Sequence, residues 1–312
     1  MLKKKQQQWD QGSAFSHWRL TLGLALLVLM GCAPQERPVT GLRIVSTAPH
    51  LTEALFAIGA GDLLVGRTEV CDDPPEALKQ VPIVGGFGTP WLESLLAVQP
   101  THVVETILAN PGITNTLKGL AISVVHVPVF KLREIPESLL QLGALTGHPT
   151  EAAQVAEAIR KGLCEAREGS PALTNAPRVL LLLTADTPMT AGRSAFVSEL
   201  LELAGGINVG SAREVDYYQI SVEWLLAQNP EMIICLFETY RQDPCRLLEQ
   251  QIGWKALAAV RQHRVYAVPK LNTVCRPGPR VLEGLAQFKE ILAQDARQRE
   301  QSSAPPIKGE EK

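Results

Sequence analysis

The sequence predicts an α/β protein of two similar halves with mainly parallel sheets, joined by a single long helix, and three observations carry that expectation. The first is a repeat: Glu93 to Val104 and Glu223 to Ile234 both read E-x-L-L-A-x-x-P-x-x followed by two β-branched residues, 130 positions apart. In each copy a short apolar helix led by Glu is stopped by Pro, which has no N–H to donate and disfavours helix just before it. The β-branched pair then opens a buried strand. The second is another pair in the same order. Thr52-Glu53-Ala54-Leu55 runs to Gly59, and Ser198-Glu199-Leu200-Leu201 runs to Gly205. Each reads as a helix with Ser or Thr at its start and Gly past its end. The third is Thr150 to Glu168, a continuous helical pattern with Thr150 as cap, Glu151 early, and Val155, Ile159 and Leu163 on one side. Such a helix spans roughly 30 Å and has no Gly-Ser hinge character, so it is a stiff connection.

The elements follow in order. In the first half, strands are expected at Arg43–Thr47, Leu63–Val65, Val81–Val84, Thr101–Glu105 and Ser123–Val127, with helices at Leu51–Ile58, after Glu93, and at Arg133–Thr146. That alternation argues for Rossmann-like halves, each with a sheet covered on both faces. The second half has strands at Arg178–Leu183, Met232–Leu236 and Arg264–Val268, helices at Phe196–Ala204, after Glu223, at Arg246–Val260 and at Pro279–Leu292, and a loop at Asp216–Gln219. Domain bounds are accordingly 41–148 for the first lobe, 149–170 for the connecting helix and 171–294 for the second lobe. The polar, charged segment 295–312 reads as a disordered tail.

The chain has 312 residues, 46% hydrophobic and 20% charged, with a net charge of −2. That composition suits a folded protein with room for two cores and gives no electrostatic footprint for nucleic acid. Residues 1–32 are read as a signal peptide: Lys3-Lys4-Lys5 and Arg19 precede the apolar run Leu20–Met30, which is too short to span a bilayer comfortably, and Leu29-Met30-Gly31-Cys32 follows. This resembles a bacterial lipoprotein signal, with Cys32 lipidated and residues 33–40, which include Pro34 and Pro38, as a tether. The protein is then lipid-anchored and exported, periplasmic or on the outer face of the cytoplasmic membrane. Five cysteines remain: Cys71, Cys164, Cys235, Cys245 and Cys275. An odd number leaves at least one thiol or an intermolecular link; Cys235 and Cys245 bracket one loop and are the disulfide expected.

The tethered start, the opening Ile44-Val45-Ser46-Thr47-Ala48-Pro49-His50-Leu51-Thr52-Glu53, the loop Cys71-Asp72-Asp73-Pro74-Pro75, the two E-x-L-L-A units and Arg276-Pro277-Gly278-Pro279-Arg280 together resemble the substrate-binding proteins of cobalamin, haem and iron-siderophore ABC importers, most of all the cobalamin binders. The resemblance implies a class III periplasmic binding protein: two lobes on one rigid helix, ligand in the cleft between them, little closure on binding, and action as a monomer with no cofactor of its own. It implies that one exposed Glu per lobe, here Glu93 and Glu223, docks into arginines of the permease, which works with a cytoplasmic ATPase. Two separated carboxylates accepting bidentate arginine bonds would fix the orientation of a rigid body. The resemblance also puts the ligand against loops that follow strands. Its candidates are Pro49, His50, Val70, Cys71, Asp72, Phe87, Trp91, Tyr217, Tyr218 and Arg276. Tyr217 falls where cobalamin binders place an aromatic, whereas Val70 replaces a tyrosine and Phe87 a tryptophan, so the ring stack is thinner.

His50, Cys71 and Cys275 are metal-ligand types that could meet a bound chelate, and Cys71 could instead pair with Cys275 across the cleft. The leading expectation is a non-catalytic receptor for a corrinoid. A haem or ferric-siderophore receptor is the near alternative, with Arg67, Arg193 and Arg276 to meet an anionic chelate. An exported enzyme using a cleft thiol, Cys71 or Cys275 with His50 as base, is the alternative from another class. No nucleophile elbow, zinc helix or phosphate loop supports it.

Overall fold

The structure is a computed structural model that describes residues 41–108, 111–170, 176–239 and 242–303. The described residues from Leu42 onward form one compact body and hold every contact given below, so a chain begun after Cys32 keeps them all. The lipobox and tether lie outside the described residues.

The first half runs β1 (Ile44–Ser46), α1 (Pro49–Ala57), β2 (Leu64–Gly66), α2 (Pro75–Leu78), the hairpin β3 (Gly85–Gly86) and β4 (Thr89–Pro90), α3 (Leu92–Ala97), β5 (His102–Glu105), α4 (Pro111–Gly119), β6 (Ser123–His126) and α5 (Glu134–Thr146). Its main sheet has the order β2-β1-β5-β6 and is parallel throughout. Side chains alternate across it: Ile44 and Val104 pack with Leu51 and Leu55 on one face, Val45 and Val103 with Leu95 and Leu117 on the other. That period of two, with both faces covered, is why its strands read as apolar runs. The expected strand at Val81–Val84 reduces to one bridge, Arg67 to Ile83, and α4 was not anticipated.

The connection is α6 (Pro149–Glu168), which begins with Pro149 in its first turn and has His148 at its N-cap without a side-chain bond. Thr150 is therefore inside the helix and does not cap it, because Pro149 already fits the first helical position. A Cβ on Gly143 of α5 would stand 2.3 Å from the Ala152 Cβ, so α5 and α6 touch closely.

The second half runs β7 (Arg178–Thr184), β8 (Met189–Ala191), α7 (Phe196–Ala204), β9 (Ile207–Asn208), β10 (Tyr217–Gln219), α8 (Val222–Gln228), β11 (Met232–Cys235), α9 (Pro244–Glu249), α10 (Ala258–Arg261), β12 (Val265–Ala267), α11 (Leu271–Cys275) and α12 (Val281–Ser303). The sheet order is β10-β8-β7-β11-β12, with β9 also on β7; β8 runs antiparallel to both of its neighbours, β7 and β10, and the other pairings are parallel. α6 packs on α5 from the first half and on α7 and α12 from the second, which braces both against one rod.

The structure departs from three further expectations. The helix expected over Arg246–Val260 is broken at Gly253, whose φ of +85° only glycine adopts freely, into α9, a 3-10 turn at Trp254–Ala256 and α10. The tail does not begin at 295: α12 continues to Ser303 because the Asp295 carboxylate is fully buried against Arg264. Cys235 and Cys245 are free thiols, as are Cys71, Cys164 and Cys275, so neither expected pairing forms.

Candidate functional site

The loops that follow β1, β5 and β6 and the β3–β4 hairpin face loops of the second half across a cavity of about 240 Å3. The first half contributes Pro49, His50, Phe87, Thr106, Ile107, Val129 and Phe130, and the second contributes Ala195, Phe196, Asp216, Tyr217 and Cys275 to Pro277. The C-terminal ends of parallel strands are where open α/β sheets place ligands. Large apolar side chains stand open there: Phe87 at 49%, Ile107 at 53%, Phe130 at 45% and Tyr217 at 42% exposure. Apolar surface left open in one concave place calls for something to cover it.

His50 is only 5% exposed, and its Nε2 lies 2.7 Å from Thr106 Oγ1. The single Thr106 hydroxyl proton goes to the Val127 carbonyl, 3.0 Å away, so Nε2–H is the donor to Thr106 and Nδ1 carries the lone pair. Burial, and after it the charge of Arg276, lowers the His50 pKa from 6.5 to about 4. Between pH 6.5 and 4 the unfolded chain protonates His50 and the folded one does not, so its contribution, complete above 6.5, is lost as pH falls. A shift of that size is worth about 3 kcal/mol. His50→Gln should flatten this window in urea melts at stepped pH; an unchanged wild-type slope would contradict it.

Tyr217 lies partly open, but crowding of its phenol by burial, then by Cys275 and Asp216, pushes its pKa up to about 12, so it remains a neutral donor. Tyr218, next along β10, points to the opposite face. Its hydroxyl donates to the Gly210 carbonyl at 2.9 Å, its ring meets Trp224 edge-on at 6.2 Å, and Arg213 stacks over it at 4.7 Å. It holds the second core together and does not line the cavity.

Arg276 is the one guanidinium among the described residues lining the cavity, and it is committed elsewhere. Its Nη1 donates to Glu53 Oε1 at 2.8 Å and to Asp72 Oδ1 at 2.5 Å, while Nη2 donates to the Val70 carbonyl at 3.0 Å. Arg280 adds bonds of 2.9 and 3.1 Å to the two oxygens of Glu53 and pairs with Asp73 at 2.5 Å. Burial alone would raise the Asp72 pKa, but the bond and charge of Arg276, with the amide of Asn272, outweigh it and hold the carboxyl below its ordinary value. Three carboxylates of the first half thus grip two arginines of the second. Asp216 brings a further carboxylate to the cavity and has no ion pair among the described residues.

Of the residues singled out from the sequence, Pro49, His50, Phe87, Tyr217, Cys275 and Arg276 reach the cavity wall. Val70, Asp72 and Trp91 do not. Val70 and Asp72 serve the ion cluster, and Trp91 is open to solvent, with its backbone N–H bonded to Val84 O at 2.8 Å. Cys71 is buried behind the loop, its Sγ 3.1 Å from the hydroxyls of Thr52 and Thr68, and cannot reach a cleft ligand or Cys275. Thr106, Ile107, Val129, Phe130, Phe196 and Asp216 were missed. Ile107 and Phe130 lie in the loops that follow β5 and β6, a signal that would have found them. Glu93 and Glu223 both stand exposed in the first turns of α3 and α8, and the five residues from Trp91 and from Ser221 share one burial pattern, ending on the fully buried Leu95 and Leu225.

Residues 44–271 match the periplasmic binding protein family, and the chain belongs to it. The protein is an exported, non-catalytic substrate-binding component of an ABC importer with the class III fold, which binds a small ligand and works with a permease and its ATPase. The thiol-enzyme alternative falls with that class and with the burial of Cys71. Among known proteins, it is 28% identical over 259 residues to the vitamin B12-binding protein of Vibrio cholerae serotype O1, covering 82% of this chain and 91% of that one. The solved vitamin B12-binding protein BtuF of Vibrio cholerae superposes with a TM-score of 0.67 at 26% identity, over 82% of this chain and 98% of that one. The apo heme-binding protein RhuT of Roseiflexus sp. RS-1 superposes with a TM-score of 0.71 at 25% identity, over 81% and 99%.

Proposed function

We propose that the cleft captures a corrinoid and that the protein, anchored through lipid on Cys32, presents it to the permease through Glu93 and Glu223. The observation that carries this reading is the pairing of open rings with a spent arginine. Phe87, Phe130 and Tyr217 offer flat apolar surface to a broad macrocycle, while Arg276 is neutralised by Glu53 and Asp72 and Asp216 adds negative charge. Such a wall suits a neutral or cationic ligand over one with free carboxylates, whose desolvated charge would find no partner. The similarity to vitamin B12-binding proteins supports the same choice. A haem or ferric-chelate ligand is the second reading, favoured by the similarity to a heme-binding protein. The cavity is smaller than a whole corrinoid, so the ligand would stand partly out of the cleft.

Tyr217→Ala should weaken corrinoid binding at least about fivefold, the value of one well-placed aromatic contact. Unchanged calorimetric affinity would remove the ring from the site. Glu93→Ala with Glu223→Ala should leave ligand affinity unchanged and strongly reduce uptake in cells. Uptake at the wild-type rate would refute the docking role.

A further inference from the structure

A second set of side chains lies on the second half, outside the cleft. Cys245 and Glu249 are one helical turn apart on α9 and share a face. His263 follows α10 with φ +54°, a left-handed position that histidine enters more readily than most side chains. That turn brings His263 Nδ1 to 3.5 Å from Cys245 Sγ. One ligand atom from each of Cys245, Glu249 and His263 lies within 4.8 Å of the others; the cysteine is buried, the glutamate half-buried and the histidine exposed. The three donors converge from separate elements on a spot closed on one side and open to water on the other. Packing alone accounts for a buried thiol, but not for the imidazole and carboxylate gathered over it.

We propose that Cys245, Glu249 and His263 bind a divalent ion of the zinc type, with the fourth position left to water. Thiolate, imidazole and carboxylate together suit zinc and cobalt(II) and not magnesium or calcium. Tetrahedral ligands with such bonds stand about 3.5 Å apart, within reach of small rotamer changes here. Without metal the thiol donates to the Val260 carbonyl at 3.3 Å. On binding, the thiol loses its proton to solvent, the thiolate takes the ion, and the bond to Val260 is given up. Burial, then the Glu249 and Asp243 carboxylates, raises the Cys245 pKa in the free protein, and a cation set among these groups reverses that charge balance. The ion would clip α9 to the turn before β12, in a region built of short helices, and so stabilise the native state by mass action.

The test is titration of the reduced chain, begun after Cys32, with cobalt(II), followed by zinc competition. One equivalent should give a thiolate-to-cobalt charge-transfer band that zinc displaces. Cys245→Ser should abolish the band, and Cys164→Ser and Cys275→Ser should keep it. Glu249→Gln and His263→Ala, which remove no fully buried side chain, should each weaken zinc at least about tenfold and lose the zinc-induced rise in Tm. Absence of the band in the wild type, its loss with Cys164 or Cys275, or wild-type zinc affinity in His263→Ala would overturn the site.

Discussion

Glu53→Ala is expected to lower the folding free energy by about 3–5 kcal/mol, the loss that follows when one partner of a buried ion pair is removed. Glu53 is 5% exposed and takes three bonds from Arg276 and Arg280, whose side chains are themselves 12% and 27% exposed. Removing the carboxylate leaves two guanidiniums facing each other, with only the more open Asp72 and Asp73 to balance them. Most of the loss is the cost of an uncompensated buried charge and not the net worth of the pair, so adding Arg276→Met should recover part of it. The measurement is urea denaturation, with a midpoint loss at unchanged slope and a fall in Tm on the order of 10 °C. A loss below about 1 kcal/mol would mean that the cluster behaves as a set of surface pairs. Because the cluster joins residues 223 positions apart, one in each half, it adds a second fastening to the rod of α6.

The second large effect is expected at Asp295→Ala, also about 3–5 kcal/mol, with fraying of α12 beyond it. Arg264 grips Asp295 through two parallel bonds of 2.7 and 2.8 Å, Tyr266 adds its hydroxyl at 3.1 Å and Arg299 pairs at 3.2 Å. Burial, then the charge of Asp295, raises the pKa of Tyr266, so the phenol stays a donor to the carboxylate. With Asp295 gone, Arg264, nearly buried, has lost its bidentate partner. A chain stopped at residue 294 should melt well below the full chain, and proteolysis at Arg297 should be faster in the point variant. An unchanged Tm on truncation would return this segment to a disordered tail.

These two contacts show where sequence reading reached its limit. The repeated helix-Pro-strand units were legible because their physics is local. Apolar spacing, Pro and β-branched residues lie within a dozen positions, and the structure repeats the burial pattern of Trp91 to Leu95 at Ser221 to Leu225, with Pro100 and Pro230 both buried and left-handed Gln99 and Asn229 at the same register. The bounds of α7 could be read for the same reason. Glu53 with Arg276 could not, since nothing near either residue tells of the other. Arg276 looked like a free cation for a ligand until its partners were visible. Asp295 sits in a polar stretch whose composition argues for disorder, and one buried ion pair outweighs that local tendency. Tyr217 and Tyr218 look equivalent in a segment that reads as a loop; as strand β10 they alternate, and only one reaches the cavity. Proximity in sequence likewise said little about Cys235 and Cys245, one held in β11 and the other on α9.

The central claim is that the cleft, with its arginine already neutralised, selects a corrinoid. Its most direct test is calorimetric titration of the chain begun after Cys32 with cobalamin, cobinamide, haem and a ferric siderophore. The expected result is micromolar or tighter binding of the corrinoids, the cationic cobinamide at least as well as cobalamin, and much weaker binding of haem and the siderophore. Haem or siderophore bound tightly while both corrinoids give no heat would contradict it, leaving the fold and the importer class standing and replacing the ligand.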